Sequence, residues 1–270
     1  MSQIALPMLY ALLLWWFSTG VILYLDSLPR RTFRWSMAGA GGVAALALYA
    51  VARSAETASV SAAYVAFTAA VLVWGFIEMS YFMGFVTGPW RKPCPPGVRG
   101  FARFKLALRT SLYHEGAVVV TGAALLLFCR EGPNALAPHT FLVLWLMRWS
   151  SKLNVFLGVP NLNEEFLPEQ LRYLISFMPR RAMNLLFPFT VTAATVVTVE
   201  LFRAAIAAPA GSFTATADSL LAALMLLAVL EHWFLVVPMQ DAALWRWALT
   251  MRRPRTDIET PLAAVRAARD

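Results

Sequence analysis

Gly88–Arg109 reads GPWRKPCPPGVRGFARFKLALR and lies between two long apolar runs, Ala58–Val86 and Thr110–Cys129. Its six basic residues, Arg91, Lys92, Arg99, Arg103, Lys105 and Arg109, mark a segment that stays out of hydrocarbon. Pro89, Pro93, Pro95 and Pro96 forbid helix in its first half, because each lacks an N–H and restricts the residue before it. From Phe101 onward aromatic and basic residues alternate, the pattern of an amphipathic helix lying on a membrane surface.

Five more apolar runs flank this core: Ile4–Leu25, Trp35–Ala52, Phe141–Gly158, Leu186–Ala208 and Leu220–Val237. A spanning helix needs ~20 mostly apolar residues to cross ~30 Å of hydrocarbon, so about seven spans are expected. Basic residues crowd into every second connection. Arg30, Arg31 and Arg34 follow the first run; Arg148, Lys152, Arg172, Arg180 and Arg181 occupy the fifth run and its connection; Arg246 through Arg269 fill the tail. Of the 23 lysines and arginines only Arg53, Arg130 and Arg203 fall on the other side. Lys and Arg are retained in cytoplasmic loops, so the pattern predicts an outward N-terminus and a cytoplasmic C-terminus.

The composition agrees. Hydrophobic residues make up 59% and charged residues 14%, against ~25% charged in soluble domains. The net charge of +8 flanks spans, so it points to anionic lipid headgroups and not to nucleic acid. Ile4–Leu25 lacks a basic stretch before it and a small-residue cleavage site after it, and reads as a retained span. The expected organisation is a polytopic helical domain over 1–250 and a basic cytoplasmic tail over 251–270. Cys94 and Cys129 fall at opposite ends of the spans and imply no disulfide.

In the fifth connection Pro168 can open a second surface helix, with Leu171, Leu174, Ile175 and Met178 at helical spacing up to Pro179. Both surface segments read as lipid-facing, or as docking surfaces for another membrane protein. In the second span Ala38, Gly39, Ala40, Gly41 and Gly42 predict close helix packing inside the bundle. Trp35, Trp90, Trp233, Trp245 and Trp247 are expected as interfacial anchors.

Charged side chains inside a bilayer face the bundle interior, paired or lining a wet cavity. Glu78, His114, Glu115, Arg148, Lys152, Glu231 and His232 all fall within spans. At ~1.5 Å per residue they lie roughly 8–15 Å from the cytoplasmic boundary, in one layer. Arg148 and Lys152, four apart on one helical face, are the expected counter-charges of the three glutamates. Asn154 adds an amide, and Asn161, Asn163, Glu164 and Glu165 are expected to close the layer from below. Glu200 and Arg203 read as a separate local pair.

Three roles compete for the layer. It can be an ion-pair network that fixes helix packing. It can be a metal or metallopigment site, with Glu78, His114, Glu115, Glu164, Glu165, Glu231 and His232 as candidate ligands of iron or of a chlorophyll magnesium. It can be a polar substrate or proton pathway. Di-iron bundles place Glu and His three apart on one face, whereas His114–Glu115 and Glu231–His232 are adjacent, which weighs against that centre. The chain has no phosphate-binding glycine loop, nucleophile elbow or zinc-protease helix.

Four stretches carry a family resemblance: CPPGVRGFARFKLALRTSLYHE (Cys94–Glu115), LGVPNLNEEFLPEQLRYLISF (Leu157–Phe177), RAMNLLFPFTVT (Arg181–Thr192) and LEHWFLVVPMQDAALWRW (Leu230–Trp247). Over nearly its whole length the chain resembles the photosynthetic complex assembly protein 2 family, also called PuhE. The resemblance implies a multi-pass inner-membrane protein of anoxygenic phototrophic bacteria, encoded near the reaction-centre H subunit. It implies a role in building reaction-centre and light-harvesting complexes or in managing bacteriochlorophyll, with complex subunits or pigment-synthesis proteins as partners. It supplies no catalytic residues. The favoured expectation is an assembly factor that binds a partner helix or bacteriochlorophyll at the polar layer, through Glu78, His114, Glu115, Arg148, Lys152, Asn154, Glu231 and His232. The alternative is a membrane-embedded, metal-dependent enzyme acting on a lipophilic substrate.

Overall fold

The computed structural model describes residues 2–162, 164, 167–237 and 245. Among these the chain is helical with no strand, and eight α-helices follow one another: α1 (Ser2–Ser27), α2 (Phe33–Ala55), α3 (Val60–Phe82), α4 (Gly100–Arg109), α5 (Leu112–Cys129), α6 (Leu136–Leu157), α7 (Leu186–Ala207) and α8 (Phe213–Phe234). Six of them, α1, α2, α3, α5, α7 and α8, are long and apolar enough to cross a membrane. Asn163, Glu165, Trp247 and the tail over 251–270 lie outside the described residues.

The bundle is built around α3 and α8. The first packs against α1, α2, α5, α6 and α8; the second against α1, α3, α6 and α7. Their sequences explain this central place. Ala62, Ala63, Ala66, Ala69 and Ala70 are buried on α3, and Ala217, Ala222, Ala223 and Ala228 on α8. Small side chains let backbones approach closely, which is what drives helix association where the solvent is itself apolar. The expected small-residue stripe of α2 serves this purpose only in part. Ala38, Gly39 and Gly42 are exposed; Ala40 packs against Phe33, Met79 and Met83, and Gly41 faces Phe76 of α3. The face of α2 that packs is set by Phe33, Ala44, Ala47 and Val51, which keep helical spacing.

The helix ends are closed by side chains and carbonyls. Ser59 and Ser212 each accept a hydrogen bond from a backbone N–H in the first turn of α3 and α8. Asn134 Oδ1 accepts from Leu136 N–H, and its amide donates to Ser54 O of α2 at 2.9 Å. The proline segment folds back under the bundle. The Thr87 carbonyl accepts from His114 N–H (2.9 Å), one of the orphan donors at the start of α5. Gly88 permits this fold, since a Cβ there would run into the backbone at Arg109–Ser111.

Both surface segments dock on the bundle. On α4, Arg103 lies over the Phe156 ring (4.3 Å) and donates to the Phe156 carbonyl, while Phe104 meets Phe156 edge-on (5.7 Å). The second segment forms a 3-10 helix, Glu169–Phe177, in place of the expected α-helix. Leu171, Leu174 and Phe177 are buried, a repeat of three that fits three residues per turn; Ile175 and Met178 are only half-buried. It packs under the end of α3 against Tyr81 and Phe82, and Gln170 donates to the Phe82 carbonyl (2.5 Å).

Trp245 is buried against Trp15 (5.3 Å) and donates its N–H to the Trp16 carbonyl at 3.1 Å. Arg53, Arg130 and Arg203 each pair with a neighbouring carboxylate: Glu56, Glu131 and Glu200, at 2.6, 2.8 and 3.0 Å. One end of the bundle is thereby locally neutralised, while the opposite end carries the basic excess.

Candidate functional site

Helix α6 organises the polar layer. Arg148 and Lys152, one turn apart, each take a glutamate from a different helix. Arg148 Nη2 lies 3.1 Å from Glu78 Oε2 on α3, and Lys152 Nζ lies 2.7 Å from Glu115 Oε1 on α5. Trp149 Nε1–H donates to the second oxygen of Glu115 at 2.6 Å. His114 places Nε2 3.4 Å from Glu78 Oε1, and its Nδ1 is buried with no hydrogen-bond partner among the described residues.

Tyr81 joins the two ion pairs. Its ring lies 4.6 Å from the His114 ring and 5.2 Å from Lys152 Nζ. Phe82 similarly faces the Arg148 guanidinium at 5.5 Å. Cation–ring contacts of this kind strengthen when water is excluded. Neither Tyr81 nor Trp149 stood out in the sequence, although Tyr81 follows Glu78 by three residues and therefore shares its face.

A second polar cluster surrounds the lower half of α6. Ser150 Oγ meets His232 Nε2 at 2.8 Å, and His232 Nδ1–H points at the Ala228 carbonyl, also at 2.8 Å. Asn154, fully buried, donates to Ser150 O and Thr190 Oγ1. Asn184 then ties α6 to α7. Its amide donates to the Asn154 and Gly158 carbonyls, both at 3.1 Å, while its Oδ1 accepts from Leu186 and Phe187 N–H. The expected single layer is therefore two clusters. Glu78, His114, Glu115, Arg148 and Lys152 form one; His232 belongs to the other with Asn154.

Glu231 faces the cavity described below, but from a solvent-exposed position. It is exposed while its neighbour His232 is buried, as follows from the ~100° between adjacent residues on a helix. Two residues expected below the layer are engaged elsewhere. Asn161 donates to the Phe234 and Val237 carbonyls at the end of α8, and Glu164 pairs with Arg180 at 2.9 Å. Among the described residues no three His, Cys, Asp or Glu side chains converge as the ligands of a metal would.

A cavity of about 470 Å³ opens between α1, α3, α6 and α8 above α4. Glu78, Glu115, Arg148, Lys152 and Glu231 supply its polar surface; Trp15, Trp74, Phe82, Phe104, Trp149 and Phe156 supply aromatic walls. Its size falls in the ~300–1,000 Å³ range of small-molecule sites, and an apolar lining with a few convergent polar groups is their usual character. Neither His114 nor His232 lines it. What it offers a ligand is an apolar bed with two cations and three carboxylates at one end.

Over residues 1–256 the sequence matches the family described as a protein of unknown function (DUF3623). A Rhodobacter capsulatus protein, described as an uncharacterized 30.4 kDa protein in the puhA 5' region, is 38% identical over 260 residues, covering 94% of both chains. No solved structure matches.

Proposed function

Because the chain belongs to the DUF3623 family, we propose that it is an integral membrane assembly factor for bacterial photosynthetic complexes. Two things support the pathway: the Rhodobacter capsulatus relative from the puhA 5' region, and the resemblance to the PuhE family, which implies a place beside the reaction-centre H subunit gene. The observation that carries the mechanism is the aromatic-walled cavity ending in Arg148 and Lys152, each already paired with a carboxylate. An apolar body such as a bacteriochlorophyll, or a helix of a complex subunit, lies along the aromatic walls. Its carbonyl or ester oxygens take the donors that Arg148 and Lys152 do not spend on Glu78 and Glu115. Histidine ligation of the pigment magnesium does not fit this cavity, since neither imidazole faces it.

The test is reconstitution of the purified protein in nanodiscs with bacteriochlorophyll, read by quenching of the lining tryptophans. Saturable quenching that weakens about tenfold in Lys152→Met is expected, a loss of one charge-assisted hydrogen bond. In a phototrophic host Lys152→Met/Glu115→Gln, which strands no carboxylate, should accumulate yet support fewer reaction centres. Absence of pigment binding together with normal reaction-centre levels would overturn the reading.

A membrane-embedded enzyme is the second reading, favoured by the Nδ1 of buried His114 beside Glu78, an atom that has no hydrogen-bond partner among the described residues. Stoichiometric iron in the purified protein, lost in His114→Gln at unchanged expression, would favour it over the first.

The membrane arrangement belongs to the same proposal. α6 serves as a seventh span: its 22 residues reach ~33 Å, and Arg148, Lys152 and Asn154, which lower its hydropathy, are engaged by partners on neighbouring helices. The N-terminus faces away from the cytoplasm and the tail lies in it, which is supported by the neutralised end around Arg53, Arg130 and Arg203. Reporter fusions check this. A fusion after Arg255 should be active only in the cytoplasm; activity in the periplasm would reverse the assignment.

A further inference from the structure

Under the end of α3, away from the cavity, three connections meet around a smaller pocket of about 220 Å³. Arg30 comes from the α1–α2 connection, Thr87 and Arg91 from the proline segment, and Gln170 and Tyr173 from the 3-10 helix. Among the described residues no carboxylate lines it. Thr87 is 1% exposed, and its hydroxyl has no hydrogen-bond partner among the described residues. The Tyr173 hydroxyl is likewise buried and unpartnered. A buried polar group left unsatisfied is costly, and unpaired hydroxyls on two residues that line one pocket, beside two guanidinium groups, mark a place for an acceptor.

The ordinary reading is a surface cluster of loop residues whose arginines are solvated. It accounts for Arg30, which is exposed and held only at 3.9 Å by Glu169 on the 3-10 helix. It does not account for the buried hydroxyls. Burial pushes the Tyr173 phenol up, so that oxygen keeps its proton at neutral pH and can donate. Thr87 Oγ1 and Tyr173 OH as donors, with the forked donors of Arg30 and Arg91, suit a tetrahedral oxyanion with several acceptor oxygens. At ~30 Å³ per water the pocket has room for such a group with part of its hydration.

We propose that this pocket binds a phosphate oxyanion, supplied by an anionic phospholipid headgroup or by a soluble phosphate. It shares no residue with the aromatic cavity, so the two proposals stand or fall separately. The site pins together the proline segment, the 3-10 helix and the first connection. Through the Thr87 carbonyl, which holds His114 N–H, it also braces the start of α5.

The experiment uses the full chain in phosphatidylcholine nanodiscs, titrated with inorganic phosphate and read by the unfolding midpoint. In parallel, the protein is purified from mixed phosphatidylglycerol and phosphatidylcholine membranes, and retained lipid is read by native mass spectrometry. A saturable rise in midpoint with phosphate identifies a soluble source; selective retention of phosphatidylglycerol identifies a lipid source. Either supports the site, provided that binding weakens roughly tenfold in Arg91→Gln and in Thr87→Val. Tyr173→Phe keeps the packing and removes one donor, so it should weaken binding while leaving the ligand-free midpoint unchanged. It keeps the test decisive if the other variants misfold. Arg99→Gln, exposed on the same segment and outside the pocket, should bind as the parent does. Binding of neither probe, binding indifferent to Tyr173→Phe, or an equal loss in Arg99→Gln would overturn the proposal.

Discussion

Arg148→Met is expected to destabilise the bundle by about 3–5 kcal/mol, because it strands a buried carboxylate. Glu78 is 6% exposed, and Arg148 at 3.1 Å is its principal counter-charge, with His114 at 3.4 Å beside it. Removing both charges is a different matter. In Arg148→Met/Glu78→Gln nothing charged is left alone, and most of the loss should be recovered. The same relation holds for Lys152 and Glu115, which are 2.7 Å apart. Crossed pairs, Arg148 with Glu115 and Lys152 with Glu78, should couple less, since neither is in contact. Unfolding midpoints in detergent across these double-mutant cycles measure the pattern. Losses in the Arg148–Glu78 cycle that add within ~0.5 kcal/mol would show that the pair is not coupled.

Asn184→Ala should cost about 3 kcal/mol. One side chain there closes two helix ends. Its amide serves the Asn154 and Gly158 carbonyls at the end of α6, and its oxygen serves the Leu186 and Phe187 N–H groups at the start of α7. Helix ends hold orphan backbone groups, and in a bundle surrounded by lipid little water is present to satisfy them. Asn184→Ser retains a capping oxygen and loses the bonds to α6, so it should recover about half of the loss. A midpoint for Asn184→Ala indistinguishable from the parent would show that water replaces all four bonds.

Much of the helical layout was legible because apolar length is a one-dimensional property. The run Leu186–Ala208 and the helix Leu186–Ala207 differ by one residue. Thr110–Cys129 and Leu112–Cys129 differ by two. The clearest miss is the start of α8, read at Leu220 and found at Phe213. Asp218 and two threonines made that turn look like a loop, whereas Ser212 caps it and Thr216 and Ser219 spend their hydroxyls on carbonyls one turn back. α6 was similarly read from Phe141, although Asn134 caps it from Leu136 and Pro138 sits in the first turn, where no intrahelical N–H bond is lost.

The site divides along the same line. Sequence identified Glu78, Glu115, Arg148 and Lys152, because ionisable residues in an apolar run are conspicuous and their lipid-facing alternative is costly. It also paired Arg148 and Lys152 on one face, since four residues make about one helical turn. It did not show which glutamate takes which cation, that Tyr81 lies between the pairs, or that His232 belongs with Ser150 and Asn154. Those facts depend on the rotation and offset of neighbouring helices, set by how the alanine faces of α3 and α8 interlock with the helices around them. Periodicity fixes which residues share a face of their own helix; only packing fixes what that face meets. The 3-10 segment shows the limit most plainly. The spacing of its apolar residues admitted an α-helix, and the repeat of three was chosen by Tyr81 and Phe82, the surface it has to cover.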